Sequence, residues 1–392
     1  MARCYNSAVS KESKPRAEIR RSRYILETVS RACTLLREFG DAGETLSLIE
    51  IVKRTGLERT ICFRLLHTLE KEGFLRRAEV RKYASNVQIR SGKQYRIGYA
   101  SQGNNSFSAA VSQGLRLAAR KRQLDLIEFE NNYSPKAALR NAEMLVKEHV
   151  DLAIEFQVFD RITSKVSTLF QEAGIPVIAI DIPEPGAVFF GVDNYRAGQI
   201  AGRMLLRAAQ QAWNGKFDEL ILLDAEIAGQ VPHLRLSGAE EVLRKGLQDS
   251  WSTTRLDSRG EFIRSFEVTR RHLQLLSKRR TLLCGVNDPA VLGALRAFEE
   301  FGRGDLCRAV GFNGVAEGRR ELRRPNSWLV GTVGFFPENY GNNVLALALD
   351  VLHHKTVLPA NYTPVQLLTP QNVDRFYPKD IFEHAEVDAI QF

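Results

Sequence analysis

Five residues within one short stretch, Arg59, Thr60, Phe63, Arg64 and His67, carry side chains suited to the edges of base pairs. Arg bonds bidentately to guanine, and Thr either bonds a base or packs on the thymine methyl. Shortly after them, Arg76, Arg77, Arg81 and Lys82 offer cations of the length that reaches phosphates. Catalytic chemistry has no comparable set. The seven His, at 67, 149, 233, 272, 353, 354 and 384, form no HExxH or other metal-ligand spacing. His353 and His354 are adjacent, and adjacent helix positions do not face each other. No GxGxxG or P-loop follows a strand, and no GxSxG is present. Asp224-Ala225-Glu226 could mimic a carboxylate pair but has no partner nucleophile. The expectation is therefore no enzyme, no metal and no cofactor.

To read bases, the first group must stand at the exposed start of a helix. A helical period runs from Tyr24 to Phe39 through Ile25, Val29, Ala32, Cys33, Leu36 and Phe39, and Gly40 and Gly43 end it. Ser47, with Glu50 three residues on, has the capping-box pattern for a helix Leu48–Arg54. Thr55-Gly56-Leu57 is a tight turn. A second helix runs from Glu58 to about Glu72, with Gly73 at its C′ position. Cys62, Leu65, Leu66 and Leu69 make its inward stripe, which leaves the five base-suited residues outward or flanking. Phe74, Leu75 and the cations up to Tyr83 read as a short β-wing. The stretch SLIEIVKRTGLERTICFRLLHTLEKEGFLRR resembles the winged helix-turn-helix of the IclR family of bacterial regulators. The match lies in Thr55-Gly56-Leu57, Arg64-Leu65-Leu66, Thr68-Leu69-Glu70 and Gly73-Phe74-Leu75. The resemblance implies binding of double-stranded operator DNA as a homodimer.

Charge supports this division. The chain of 392 residues has 55 Lys+Arg and 46 Asp+Glu, a net charge of +9. Residues 1–95 hold 20 of the basic and 11 of the acidic residues, so the excess sits in the first quarter and the remainder is neutral. A basic module on a neutral body points to a polyanion for the module and a separate task for the body. Five scattered Cys without a CxxC pair read as free thiols in a reducing compartment. The N-terminus lacks the apolar stretch of a signal peptide, and no run approaches 18 apolar residues. A cytoplasmic protein with no membrane partner is expected.

From Tyr95 the pattern alternates strand and helix at roughly 25–30 residue intervals, the mark of doubly wound parallel sheets. Strands are expected at 95–100, 125–129, 152–156, 176–180, 219–223, 282–284, 309–312 and 329–333. Five segments, with Thr332 to Pro337 and Gly341, resemble the type I periplasmic-binding-protein fold, shared by sugar-binding proteins and the ligand domains of LacI-family repressors. They are Gly103-Asn104-Asn105-Ser106-Phe107, Gly174 to Asp181, Val192-Asp193-Asn194 with Ala197-Gly198, Asn287-Asp288 with Ala290 and Gly293-Ala294-Leu295, and Val310-Gly311-Phe312-Asn313-Gly314. The resemblance implies two lobes, three crossovers and a ligand in the cleft. It assigns Asn105, Phe107, Asp181, Arg235, Asn287 and Asn313 to ligand contact, with Phe335 as an added ring. Asn313 stands where sugar binders often have Asp, Phe335 where the ribose type has Gln, and Ile182 where an Arg is common. A pentose or hexose is the first choice, and a deoxy-sugar, a glycoside or a nucleoside stays open. Asp193-Asn194 and Gly198 are assigned to turn and helix packing.

The expected fold class is α/β: a two-lobed type I periplasmic-binding-protein fold of two doubly wound parallel sheets, preceded by an all-α/winged helix-turn-helix domain. Its parts are a disordered basic arm (1–20), the winged domain (21–83), a connector (84–94), the ligand-binding domain (95–380) and a tail (381–392). The first lobe takes about 95–210 and 337–356, and the second about 217–334 and 364–380. Crossovers are expected near 210–217, 334–337 and 356–364. The whole reads as a ligand-responsive, allosteric transcription regulator. The alternatives are a sugar-binding protein without a DNA role, or a DNA-binding protein whose body is a dimerisation module with a degenerate cleft.

Overall fold

The computed structural model describes residues 26–39, 44–86, 95–247, 251–378 and 380. The expected arm at 1–20, helix start at Tyr24 and Ile25, stop at Gly40 and Gly43, connector residues 87–94 and tail at 381–392 lie outside them. The chain divides into two compact units between residues 93 and 94.

The first unit runs α1 (Glu27–Arg37), β1 (Thr45–Ser47), α2 (Leu48–Thr55), α3 (Arg59–Lys71), β2 (Leu75–Glu79) and β3 (Lys82–Ser85). Ser47 ends β1 and caps α2. Its Oγ accepts from Glu50 N–H, while the Glu50 carboxylate accepts from Ser47 N–H at 2.8 Å. Gly56 leaves α2 at φ 65, a conformation that costs glycine no Cβ clash. α3 buries Cys62, Leu65, Leu66 and Leu69 against Leu35, Leu36, Phe39 and Ile51. β2 and β3 pair antiparallel as the expected wing, and β1, which the sequence pattern did not announce, pairs antiparallel with β3 to give a three-stranded sheet of order β1-β3-β2. On α1 the buried side chains are Leu35 and Leu36, and Val29 is exposed. The three-four spacing continues through both ends of that helix, so periodicity alone does not say which end is covered.

The second unit alternates β4 (Arg96–Ser101), α4 (Ser106–Arg122), β5 (Asp125–Glu130), α5 (Pro135–Lys147), β6 (Leu152–Glu155), α6 (Thr163–Glu172), β7 (Val177–Ile180) and β8 (Val188–Gly191). It continues with α7 (Asn194–Trp213), β9 (Glu219–Asp224), α8 (Gln230–Gly246), β10 (Ser252–Asp257), α9 (Phe262–Leu275), β11 (Thr281–Gly285), α10 (Asp288–Glu300), β12 (Cys307–Asn313), α11 (Ala316–Arg323) and β13 (Leu329–Gly334). α12 (Tyr340–Leu352), β14 (Ala360–Tyr362), β15 (Gln366–Leu368) and α13 (Val373–Phe376) complete it. Two six-stranded sheets result, of order β5-β4-β6-β7-β8-β14 and β10-β9-β11-β12-β13-β15. Every pairing is parallel except β13 with β15. One apolar cluster joins Ile97 and Tyr99 of the first sheet to Val310 and Phe312 of the second.

The chain passes between the sheets after β8, after β13 and after β14. The first passage corrects the expectation. α7 packs on α8, β12 and β13, so it belongs to the second lobe, and the crossover is at Val192–Asp193 instead of 210–217. The cause is a small-residue face: a Cβ on Gly198 would stand 2.1 Å from Arg235 O, and one on Gly202 would stand 2.7 Å from Ala239 O. Only glycine lets the two backbones approach so closely. Among the described residues, no helix is long and apolar enough to cross a membrane.

Candidate functional site

In the first unit, burial of the α3 stripe leaves Arg59, Thr60, Phe63, Arg64 and His67 exposed on the opposite face. Arg76 is exposed on β2, and Arg81 turns the hairpin tip at φ 66. Arg77 is tied down. Its Nε donates to Glu70 at 3.0 Å, and its guanidinium lies 5.2 Å from the Tyr83 ring centroid. That residue braces the wing on α3. Lys82 is half-buried near Glu50. The Ser47 hydrogen bonds, helped by the Lys82 and Arg54 charges, hold the Glu50 carboxyl below its ordinary value.

In the second unit, three elements converge where the lobes meet. Asp181 follows β7 in the left-handed region, at φ 62. Arg235 projects from the second turn of α8, and Tyr340 opens α12. Tyr340 Oη donates to Asp181 Oδ1 at 3.4 Å. Burial pushes the Asp181 carboxyl up to about 6, against the pull of the nearby Arg235 charge and of the Tyr340 hydroxyl. Arg235 is itself buried. Its Nε donates to Asn194 Oδ1 at 2.6 Å and its Nη1 to Val286 O at 2.7 Å. Its guanidinium lies 4.7 Å from the Phe335 centroid and 5.8 Å from that of Phe312. Phe335 meets Phe107 edge-on at 6.4 Å, and Phe107 meets Phe156 at 6.3 Å and Tyr340 at 5.8 Å. Four expected residues, Phe107, Asp181, Arg235 and Phe335, thus share one connected cluster. The two-lobed topology of this body is one that known proteins share. Residues 98–356 match the periplasmic binding protein domain family. The chain belongs to that family.

Residues 28–79 match the IclR helix-turn-helix domain. Among solved structures, the chain is similar to an ABC transporter solute binding protein from Bacillus halodurans with bound myo-inositol, at 17% identity, covering 74% of this chain and 100% of that one, with a TM-score of 0.64. It is also similar to a periplasmic solute binding protein from Actinobacillus succinogenes with bound D-allose (18% identity, 72% and 100% covered, TM-score 0.63). A third is a solute binding protein from Agrobacterium vitis with bound allitol (18%, 73% and 98%, TM-score 0.65). At these identities the likeness is one of fold. No match is found among curated proteins.

The other expected residues of the periplasmic-binding-protein body have local duties. Asn105 caps α4, its Oδ1 accepting from Ser108 N–H at 2.8 Å. Asn287 caps α10 by accepting from Ala290 N–H at 2.9 Å and donates to Gly260 O at 2.9 Å, so both ends of its amide are engaged. Asn313 ends β12 at φ 96, and its carbonyl accepts from Phe335 N–H at 3.1 Å. Asp193 caps α7, and Gly198 carries the helix contact already described. Asn194, assigned to the turn, also seats Arg235. Sequence reasoning did not assign to the site Tyr340, Phe156, Phe312 or Phe190, whose ring lies 5.1 Å from that of Tyr340, because an aromatic at a strand end or helix start reads as core. The Asp224–Glu226 pair does not form: Asp224 Oδ2 bonds His233 Nδ1 at 2.5 Å, and Glu226 is exposed in the next turn. Among the described residues, no three His, Cys, Asp or Glu are grouped to hold a metal.

The two lobes touch at their facing loops. Ser106 Oγ of the first lobe donates to Glu317 Oε1 of the second at 2.5 Å, and Gly229 of the second backs on the Asp160 side chain. The first lobe also holds a buried carboxylate pair. Glu155 ends β6 at 1% exposure, and neither carboxylate oxygen has a hydrogen-bond partner. Its burial, and next the Glu184 charge, push it well above the ordinary carboxylate range. Burial pushes Glu184 up to about 7, although Gln157 Nε2 donates to it at 3.3 Å and Ser167 Oγ at 3.5 Å.

Proposed function

We propose that the protein is a ligand-responsive transcriptional regulator. The first unit binds operator DNA as a homodimer, and a small polyol, a sugar first of all, binds between the lobes of the body. The observation that carries this reading is the presence in one chain of an exposed base-suited helix face and of a two-lobed binding fold with a guanidinium and a carboxylate facing each other across the lobes. With the lobes parted, Asp181 would accept and Arg235 donate, and Phe107 and Phe335 would supply ring faces, which is the chemistry a polyol with an apolar face needs. The similar solute binding proteins hold cyclitol, aldose and alditol ligands, in keeping with that class. The body would work in the manner of LacI-type ligand domains, within the cytoplasm. A ligand that prefers one lobe arrangement by about 1–3 kcal/mol would change operator affinity roughly 5–150-fold.

The second reading is a body that only pairs chains. What favours it is the depth of the ring cluster: Phe335 and Tyr340 are fully buried and Phe107 is 7% exposed. One experiment separates the two. Fluorescence anisotropy is measured on a duplex selected by the wild-type chain from a random pool, with a panel of pentoses, hexoses and cyclitols. The regulator reading expects one member to change the affinity of the wild type and to leave Asp181→Ala unmoved. A flat panel for both proteins would favour the pairing body. No selected duplex at all would sink the DNA reading.

A further inference from the structure

The outward face of α3 carries a pattern finer than a basic surface. Arg59, Phe63 and His67 stand at i, i+4 and i+8 and line one ridge of the helix, while Thr60 and Arg64 line the next. A rise of 1.5 Å per residue spaces the three ridge residues about 6 Å apart along the axis. The ridge therefore reads donor, apolar ring, donor. Phe63 is 55% exposed in the middle of it. Among the described residues, neither an aromatic ring nor a cation packs on its face.

The chemistry of the major groove restricts what such a ring can meet. Among the groups on its floor, donors and acceptors alternate with flat C–H edges, and the thymine C5 methyl is the one apolar group that projects from it. A phenyl ring pressed on a donor or acceptor displaces its water and returns no hydrogen bond, which is costly. Pressed on a methyl, the same ring removes apolar surface from water and gains dispersion contacts. Arg59, one turn earlier, can bond guanine O6 and N7, and the His67 imidazole, one turn later, can donate to a purine N7. Bases stack at about 3.4 Å, so a spacing of about 6 Å covers roughly two base-pair steps.

We infer that Phe63 determines operator specificity by reading a thymine methyl about two base pairs from the guanine bound by Arg59. The inference rests on the DNA-binding reading of the first unit. It assigns a base to a side chain for which a generic basic helix would have no use. Because the ring lies outside the apolar core of its domain, replacing it leaves the fold in place, and a melting curve verifies this.

The test uses the full-length chain and a duplex selected from a random pool. Each thymine is replaced singly by deoxyuridine, which removes the methyl and nothing else. One position in each half-site is expected to lose affinity by about fourfold, the worth of one buried carbon. Phe63→Ala should bind the thymine and deoxyuridine duplexes equally at that position, and Phe63→Leu should still distinguish them. Arg59→Ala should keep the methyl preference and relax selection at the neighbouring guanine. Wild-type binding indifferent to every deoxyuridine, or a Phe63→Ala protein that keeps the preference, would overturn the inference while leaving DNA binding intact. Failure to select any duplex would remove the inference together with the reading beneath it.

Discussion

Asp181, Glu155 and Glu184 lie at or just past the carboxyl ends of neighbouring strands, and burial shifts all three in the same direction. Asp181 is pushed up to about 6 and Glu184 to about 7. Glu155, with no hydrogen bond to either oxygen, is pushed higher than its ordinary range as well. The sign of the consequence follows from linkage. A carboxyl group that holds its proton more tightly folded than unfolded contributes stability below its unfolded value, and loses it as pH rises through the folded one. For Glu184 that window runs from the ordinary 4.5 to about 7, and Glu155, pushed the same way by burial and by the Glu184 charge, gives a slope of the same sign. Two buried carboxylates close together cannot both ionise cheaply. Glu155→Gln removes one of them and supplies an amide donor for Glu184. The variant should melt above the wild type at pH 8 and close to it at pH 5, read by calorimetry across that range. Asp181, and Asp288 at about 7, give slopes of the same sign that the substitution leaves untouched. Identical pH slopes for the two proteins would clear the pair of this role.

At the scale of elements, the approach of α7 to α8 decides where the site stands. Gly198 puts α7 against the Arg235 carbonyl, and Asn194, one turn earlier, holds the Arg235 side chain. A Cβ at Gly198 meets backbone, which cannot swing aside. Gly198→Ala should cost about 1–3 kcal/mol, several degrees of melting temperature, as overpacked contacts do. It should also blunt the effector response, because the Asn194–Arg235 bond moves with the helix. Gly202→Ala, a turn further from Asn194, should lower the melting temperature and spare more of the response. Equal loss of response in both would separate the helix contact from the site. The same elements mark what the sequence made legible. The capping box at Ser47 and Glu50 and the stripe Cys62, Leu65, Leu66 and Leu69 are local patterns, and they fold as written. β6, β7 and β9 are apolar runs and were readable. β14 and β15 have three residues each, and β10 is the polar edge run Ser-Thr-Thr-Arg-Leu-Asp, so propensity did not mark them. An apolar stripe says that α7 is covered and not by which sheet, which is why the crossover lay outside reach. In the site, Asn105 and Asn287 share an address with ligand residues, the step from strand end to helix start, where a cap is also required. Tyr340 comes to Asp181 only through the second crossover, a contact 159 positions apart in sequence that no local pattern encodes.

Across the whole molecule, charge and task divide at the same place. Residues 96–392 hold 35 basic and 35 acidic residues, so the body has no net field to draw a polyanion, while the first quarter carries the full +9. Counterion release then makes operator affinity steeply salt-dependent, with a slope of about 0.9 in log–log form for each phosphate neutralised. Effector affinity, resting on hydrogen bonds and ring contacts inside a neutral body, should stay nearly flat over the same salts. The wing supplies an internal comparison. Arg81 is exposed at the hairpin tip with no hydrogen bond or ion pair among the described residues, whereas Arg77 is committed to Glu70 and Tyr83. Arg81→Ala should therefore weaken binding uniformly across duplex sequences and reduce the salt slope by about one for each head bound. Arg77→Gln should act instead by loosening the wing from α3, lowering the melting temperature of the first unit more than it changes the slope. Anisotropy titrations between 50 and 200 mM salt, roughly the range over which phosphate-dominated affinities collapse, read both effects. A slope unchanged by Arg81→Ala but reduced by Arg77→Gln would exchange the two roles, and would mean that the Glu70 contact opens when DNA arrives.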